Sequence, residues 1–428
     1  MPIGNIGLEG GQVCRIMTKR SAGAHPGAPE TGAGEMTAGG VQDVVSVADP
    51  EHAWQQALQA GLVGRKRLPL NCELPPPLLT GPVTANERFF RRNHFPIPDL
   101  DAGRWRLDVG GLVRTPLSLG LEDLRRLGSE SVVATLECAG NGRTLFSAPV
   151  EGETWGLGAV SSARWTGVPL TAVLDRAGIA SGAREVIFRG ADGGQMEGVE
   201  EPIRYERSLS VADARQSGAL LVFAMNGELL PARHGFPVRL VVPGWYAMAS
   251  VKWLTEVELT DQPFTGFFQD THYVYEWQRR GAWVREPVRL QRIRALVAEP
   301  ADGQVAEAGD LVVRGVAWSG AAPISRVEVS IAAAADGETS GGETGGGRAG
   351  ADAAGAAEAG WQQAHLVGRA EGHGWQRWEL TARDVPPGAA TIRARAYDQA
   401  GNGQLSEPEW NNLGYGGNFV HELTVTLS

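Results

Sequence analysis

The sequence predicts an α+β domain followed by an immunoglobulin-like β-sandwich, and three observations carry that reading. Between residues 88 and 286, short strand-like runs and short helical stretches mix without regular alternation, which favours α+β over a doubly wound sheet. From 287 onward, seven short strand-like runs follow one another, most of them separated by Gly, Pro or Asp, as in a β-sandwich. That sandwich contains no cysteine pair, so it is expected to be a disulfide-free variant.

The chain has 428 residues, enough for two or three domains with a sizeable core. Hydrophobic residues make up 43% and charged residues 21%, the texture of a globular protein. Net charge is -10, from 39 Lys+Arg against 49 Asp+Glu, and no basic run gathers on one segment. Nucleic acid is therefore excluded as a general partner. No stretch of about 18 apolar residues occurs, so no membrane span is expected. The first twenty residues are Gly-rich and polar, with no apolar segment after Lys19-Arg20, a poor export signal that points to a cytoplasmic location. The three cysteines, Cys14, Cys72 and Cys138, form no CxxC, metal knuckle or haem-attachment motif. Their odd number suits a reducing compartment without a disulfide framework.

Taken in order, residues 1 to about 50 are rich in Gly, Ala, Pro and Thr without periodicity and are expected to form a loosely held tail. His25-Pro26-Gly27 lies there with too little around it to build a haem domain. The spacing over 51–63 predicts a short helix stopped near Gly61, and Leu74-Pro75-Pro76-Pro77 an extended linker. The expected division is a tail with its helix at 1–64, a first domain at 65–286, and a sandwich at 287–428. Within the first domain, strands are predicted at 105–109, 132–136, 185–189, 220–225, 238–242 and 251–259. Helices are predicted at 119–127 and 169–177, the latter from an apolar i, i+3, i+4 stripe. The sandwich strands are predicted at 292–298, 311–318, 324–331, 361–367, 375–380, 391–397 and 419–427. Between them, 332–360 is an Ala/Gly/Glu insertion too poor in large apolar groups to pack, and a flexible loop is expected.

The chemistry centres on Thr135-Leu136-Glu137-Cys138-Ala139-Gly140-Asn141-Gly142-Arg143. A cysteine at a strand end is followed by residues that permit a sharp turn and close backbone approach, then by a fixed cation. Cys138 thus reads as a thiolate ligand or nucleophile facing an anion. Further polar residues sit among rigid ones in Arg91-Arg92-Asn93-His94-Phe95-Pro96, in the run from Phe188 to Gly194, in Asn226 to Arg239 continuing to Tyr246, and in Ser250-Val251-Lys252-Trp253. Together these supply His, Asp, Ser, Lys and Arg from loops at strand ends. Such a set suits a large polar organic cofactor that carries a phosphate, and soft sulfur at its reactive end reads as a ligand to a thiophilic metal.

On CAGN-x-R, RNH-x-P, the NGE-to-HGFPVR-to-VVPG run and SVKW, the sequence from about 65 to 428 resembles the sulfite oxidase family of molybdenum enzymes. The resemblance implies a molybdopterin-binding α+β domain, an immunoglobulin-like dimerisation domain, and a homodimer. It implies molybdenum held by one pyranopterin dithiolene and by Cys138. Arg92 and Arg143 match arginines around the substrate anion, Tyr273 the active-site tyrosine with Tyr275 as its rival, and Trp155 a substrate-pocket tryptophan. Asn93, His94, Asp192, His234, Arg239, Ser250 and Lys252 match positions that hold the pterin and its phosphate. His272 is expected either in the pocket or in solvent.

Two departures stand out. Gly142 replaces the first of an arginine pair found in animal-type members, and Leu413, in Trp410-Asn411-Asn412-Leu413-Gly414, stands where those members place an arginine that reaches the anion pocket. The resemblance implies oxidation of sulfite to sulfate by oxygen-atom transfer. The family's attached haem domain is not found, so electrons are expected to pass to a separate cytochrome or another acceptor. A reductase of nitrate or an S-oxide, and a non-catalytic molybdopterin-binding dimer, are the alternatives.

Overall fold

The computed structural model describes residues 49–334, 360–406 and 410–428. The expected tail with Cys14 and most of the expected insertion at 332–360 lie outside the described residues. The first helix spans Pro50–Gln59, with Asp49 Oδ1 accepting the amides of Glu51 and His52 as its N-cap.

The first domain contains two five-stranded sheets. One has the order Leu117–Leu119, Leu107–Gly111, Leu254–Thr260, Glu185–Gly194, Ile203–Ser210, with a parallel pair at Leu107–Gly111 and Leu254–Thr260. The other is antiparallel, running Glu228–Leu229, Leu220–Met225, Val160–Pro169, Glu130–Glu137, with Arg239–Val241 also paired to Leu220–Met225. The predicted helix is Leu170–Ala177, and Leu170, Val173, Leu174 and Ala177 all face the core, as the apolar stripe requires. The main core gathers these with Leu107, Phe188, Leu221, Leu254 and Val257. A second, aromatic cluster holds Phe89, Phe90, Trp155, Trp165, Leu136 and Cys138.

Several elements were not expected. Val160–Pro169 has no apolar alternation, yet Ser161 and Ser162 are fully buried. Small residues are needed there because other chain segments cross close by: Ser161 Oγ accepts the Phe90 amide at 3.1 Å, and Thr84 N–H donates to the Ser162 carbonyl at 2.7 Å. Ile203–Ser210, the helix Val211–Gln216, the Val63–Lys66/Asn71–Glu73 pair and the Val274–Arg279/Ala282–Pro287 hairpin are others.

The sandwich pairs a four-stranded sheet, Arg294–Glu299, Gly309–Trp318, Gln376–Val385, His365–Val367, with a five-stranded one, Val305–Ala306, His421–Leu427, Gly388–Asp398, Ile324–Ala333, Trp361–Gln363. The single strand expected at 361–367 is two. They break at buried Ala364, whose N–H donates to Val327 at 2.9 Å, and join opposite sheets. Among the described residues no helix is long and apolar enough to cross a membrane.

Buried His421 accepts the Val297 amide on Nδ1 at 2.8 Å, which requires a neutral ring. Burial, with Arg294 adding to it, brings its pKa from 6.5 down to about 4. The unfolded chain therefore binds a proton that the folded chain refuses, so this stability is present above pH 6.5 and is lost as pH falls towards 4. On the order of 3 kcal/mol is at stake. Chemical denaturation at pH 7.5 and 4.5 is expected to show a smaller loss in His421→Gln than in wild type.

Candidate active site

The Glu130–Glu137 strand delivers Cys138 to its end, where the Cys138 amide donates to Ala159 at 2.8 Å. The chain then turns: the Asn141 amide donates to the Cys138 carbonyl at 2.9 Å, Asn141 Oδ1 accepts from Ala159, and Gly142 adopts φ +84°. That left-handed conformation favours glycine. The sulfur is buried. Burial pushes the thiol pKa up, while Arg92, Arg143 and the Gly140 amide pull it down, so the charged environment favours a thiolate wherever a metal takes the proton's place.

Cys138 borders a cavity. Every residue expected in the site lines it except Arg143 and Trp155. Its polar end is built by two converging turns. Gly235, at φ +112°, follows the short turn Ala232–His234, and a Cβ there would stand 3.0 Å from the Arg239 Cβ and 3.1 Å from that of Lys252. Only glycine lets His234, Arg239 and Lys252 come together. Trp253 holds a strained φ of +50°, fixed by its indole N–H donating to Ala232 at 2.8 Å, and Lys252 Nζ lies 4.2 Å above the indole. Arg239 donates to the carbonyls of His234 and Ser250, both at 3.0 Å. Ser250 Oγ accepts the Val242 amide, which leaves its own hydrogen to offer.

The cavity's charges are unbalanced. Arg91, Arg92, Arg233, Arg239 and Lys252 line it against one carboxyl, Asp192. Burial brings Arg239 down to about 9 and, with Arg233, brings Arg91 down to about 10. Burial likewise lowers Lys252, helped by Arg239 and opposed by Asp192. It raises Asp192 to about 7 against the pull of Lys252, and Asp192 Oδ1 has no hydrogen-bond partner. Buried cations without counter-charge are costly, so the cavity is built for an anion.

At the other end stand Arg92, His94 and Tyr273. Arg92 has no acidic partner among the described residues; its guanidinium meets the Asn93 carbonyl and the His94 ring, with Nη2 3.1 Å from Nδ1. Burial opposes its charge, but Tyr273 and Cys138 more than restore it. His94 Nε2 and the Tyr273 hydroxyl share a hydrogen bond of 2.7 Å. Burial first, then Arg92, drives the His94 pKa far down, so the ring is neutral. Tyr273 sits at φ +58°, stacked on Tyr415 at 5.2 Å between centroids, with the buried Arg207 guanidinium 5.8 Å from its ring. Backbone strain of this kind collects at functional sites. Tyr275 instead packs on Trp277 and Arg292 and does not line the cavity. Half-buried His272 lies against Phe267 and edge-on to His94, outside the lining.

Arg143 is buried and donates to the Leu413 and Glu153 carbonyls while covering the Tyr415 ring. It reaches Cys138 through its field alone. Trp155 is fully buried in the aromatic cluster beside Cys138, and its indole N–H has no partner. Sequence reasoning missed Arg91 and Arg233 in the lining, together with Phe89, Phe90 and Tyr205. Arg91 and Arg233 stand beside Arg92 and His234, and the pairing of basic residues was the available signal.

Among the described residues no group of three His, Cys, Asp or Glu side chains could hold a metal. A metal at Cys138 would therefore draw ligands from beyond such side chains, from solvent or an organic partner. A phosphate-bearing dithiolene cofactor meets that demand and the excess of cations together.

Comparison with known proteins agrees. The family described as an oxidoreductase molybdopterin-binding domain matches residues 94–268, and the Mo-co oxidoreductase dimerisation domain matches 288–428. Mitochondrial sulfite oxidase of Mus musculus is 34% identical over 383 residues, covering 84% of this chain. The match spans 64% of that relative's length, just under two thirds. Sulfite oxidase of Gallus gallus is 35% identical over 379 residues, 83% of this chain and 75% of its own. The crystal structure of the sulfane dehydrogenase SoxCD from Paracoccus pantotrophus superimposes with a TM-score of 0.69 at 26% identity, covering 83% of this chain and 84% of that one.

Proposed function

The chain belongs to the sulfite oxidase family of molybdopterin-dependent oxidoreductases, and on that footing we propose that it is a molybdenum enzyme oxidising sulfite to sulfate. The observation that carries this reading is the cavity that joins a thiol, the Arg92 guanidinium and a cluster of further cations suited to a phosphate. Cys138 would hold the metal. Asp192, His234, Arg239, Ser250 and Lys252 would hold the pterin and its phosphate, with Arg91 and Arg233 adding charge. A molybdenum centre held there supplies oxygen-atom transfer and two-electron redox chemistry.

The chain's own groups do the rest. Arg92 binds the oxyanion and fixes its orientation, in a site where burial strengthens the interaction. Neutral His94 positions the Tyr273 hydroxyl beside that anion. The aromatic cluster around Cys138 keeps bulk water from the sulfur's other side. Electrons leave to a separate acceptor, for which a cytochrome is the proposal, and two chains associate through the dimerisation domain.

Metal and pterin content of the purified protein, then sulfite with ferricyanide against nitrate with reduced viologen, test the reading. Turnover in the second assay alone overturns the choice of substrate. The absence of molybdenum overturns the enzymatic reading. Tyr273→Phe is expected to lower kcat/KM for sulfite about tenfold, near the low end of general acid–base and hydrogen-bonding effects, with pterin content unchanged. An unaltered kcat/KM removes Tyr273 from the site.

A further inference from the structure

The strand that carries Cys138 draws one of its edges from the trailing sandwich. On one side Glu130–Glu137 pairs with Val160–Pro169. On the other, ties fall on alternate residues. His373 N–H donates to the Val133 carbonyl at 2.8 Å, and Thr135 N–H donates to the His373 carbonyl at 3.0 Å. Glu137 Oε2 accepts the Trp318 indole N–H at 2.9 Å, and its Oε1 lies 3.5 Å from Arg294 Nε. Gly416 N–H donates to the Ala139 carbonyl at 2.8 Å, and Arg294 Nη2 donates to that of Asn141 at 3.2 Å. Arg143 ends the row on Leu413.

Glu137 and Arg294 anchor this row. Their side chains are 1% and 2% exposed. A Cβ at Gly142 would stand 3.3 Å from the Arg294 guanidinium, so the glycine that removes one expected cation also admits this one beneath the turn. Stability does not explain the pair. Apolar residues of similar volume commonly serve a buried site as well or better, and here Arg294 Nε and Nη1 lack hydrogen-bond partners.

We propose that the Glu137–Arg294 pair is a positioning device through which the sandwich domain sets where the Cys138 sulfur lies. The domain then does more than join two chains: without lining the cavity itself, it backs the strand and turn that carry the sulfur. The inference rests on Cys138 being the metal-holding thiolate and not on which anion is oxidised.

The test uses holoenzyme of wild type, Arg294→Met, Arg294→Lys and the double variant E137L/R294M, with Arg314→Ala as a surface control. Arg314 sits half exposed in the sandwich, paired with Glu299 and Glu379. Four readouts are taken: thermal midpoint, kcat and KM, the EPR spectrum of the one-electron-reduced metal, and the alkylation rate of Cys138 by iodoacetamide in cofactor-free protein, followed by mass spectrometry. R294M is expected to lose about tenfold in kcat at constant KM, the lower end for outer-sphere partners of a metal site. Its EPR signature shifts and Cys138 alkylates several-fold faster. R294K is expected to recover part of each. E137L/R294M regains part of the thermal midpoint, because no charge is left unpaired although the Trp318 and Asn141 donors lose their acceptor, but not the kcat or the EPR signature.

A double variant with wild-type kcat and EPR overturns the proposal, as does an R294K indistinguishable from wild type in alkylation and EPR. If R294M fails to fold, these two variants decide. If sulfite is turned over by none of the proteins while EPR and alkylation respond as expected, the substrate assignment falls and the positioning role stands.

Discussion

Cys138→Ser is expected to lower kcat for sulfite by at least about 10³-fold, on the order of 4 kcal/mol of activation free energy, with the pterin still bound. Serine matches the shape of the buried side chain but replaces a soft thiolate with a hard, protonated hydroxyl that thiophilic metals disfavour. Retention of the pterin follows because its proposed anchor is the cation cluster of Arg239, Lys252 and their neighbours, which the substitution does not touch. The matched control is Cys72→Ser. Cys72 is equally buried but lies in another cluster, with Leu62, Leu74 and Trp318, where burial raises its thiol to about 11. It is expected to keep wild-type kcat. Pterin fluorescence after oxidation, metal analysis and steady-state rates check both variants. Full activity in Cys138→Ser would end every enzymatic reading of the cavity.

Arg92→Gln is expected to cost 10²- to 10³-fold in kcat/KM, about 3–4 kcal/mol, the scale of removing one preorganised donor from a buried charge-stabilising site. The size follows from how the other cations are used. Arg143 is spent on the Leu413 and Glu153 carbonyls, Lys252 on Asn93 and the Arg92 carbonyl, and Arg207 lies behind Tyr273. Of the cations that line the cavity, Arg92 alone is close enough to pull on the Cys138 thiol. Arg92→Lys should recover only part of the loss, because an ammonium keeps the charge but not the planar fork that grips two oxygens. KM and kcat are both expected to move, since the anion is held before and during reaction. A wild-type kcat/KM in Arg92→Gln would transfer the anion's binding to Arg143.

The sequence made the Cys138 turn readable because its residue types are forced: a strand end, then small residues that alone allow the bend. The same holds for the 220–225 strand and the 170–177 helix, where apolar spacing states the burial directly. Val160–Pro169 was hidden because nearly all of it is buried, with Ser161 and Ser162 enclosed alongside Val160, Trp165 and Val168, so no apolar–polar alternation marks it. The division at Ala364 was hidden because a strand that changes sheets keeps one continuous pattern. In the site, the motifs pointed to much of the cavity's polar lining but passed over Arg91 and Arg233. What those motifs could not give was how each cation is occupied. Arg143 and Arg92 look alike in sequence, and only the Leu413 carbonyl separates them.

The unbalanced cavity has a consequence for the life of the chain before it is loaded. The cations that line the cavity repel one another, with Asp192 the one carboxyl among them, and an anion bound there relieves the repulsion. By mass action, a ligand that binds the folded form alone widens the gap between folded and open states. An unfilled chain therefore opens more often than a filled one and offers itself to proteases in proportion. The charge pattern proposed to hold the cofactor would thereby also separate loaded from unloaded molecules.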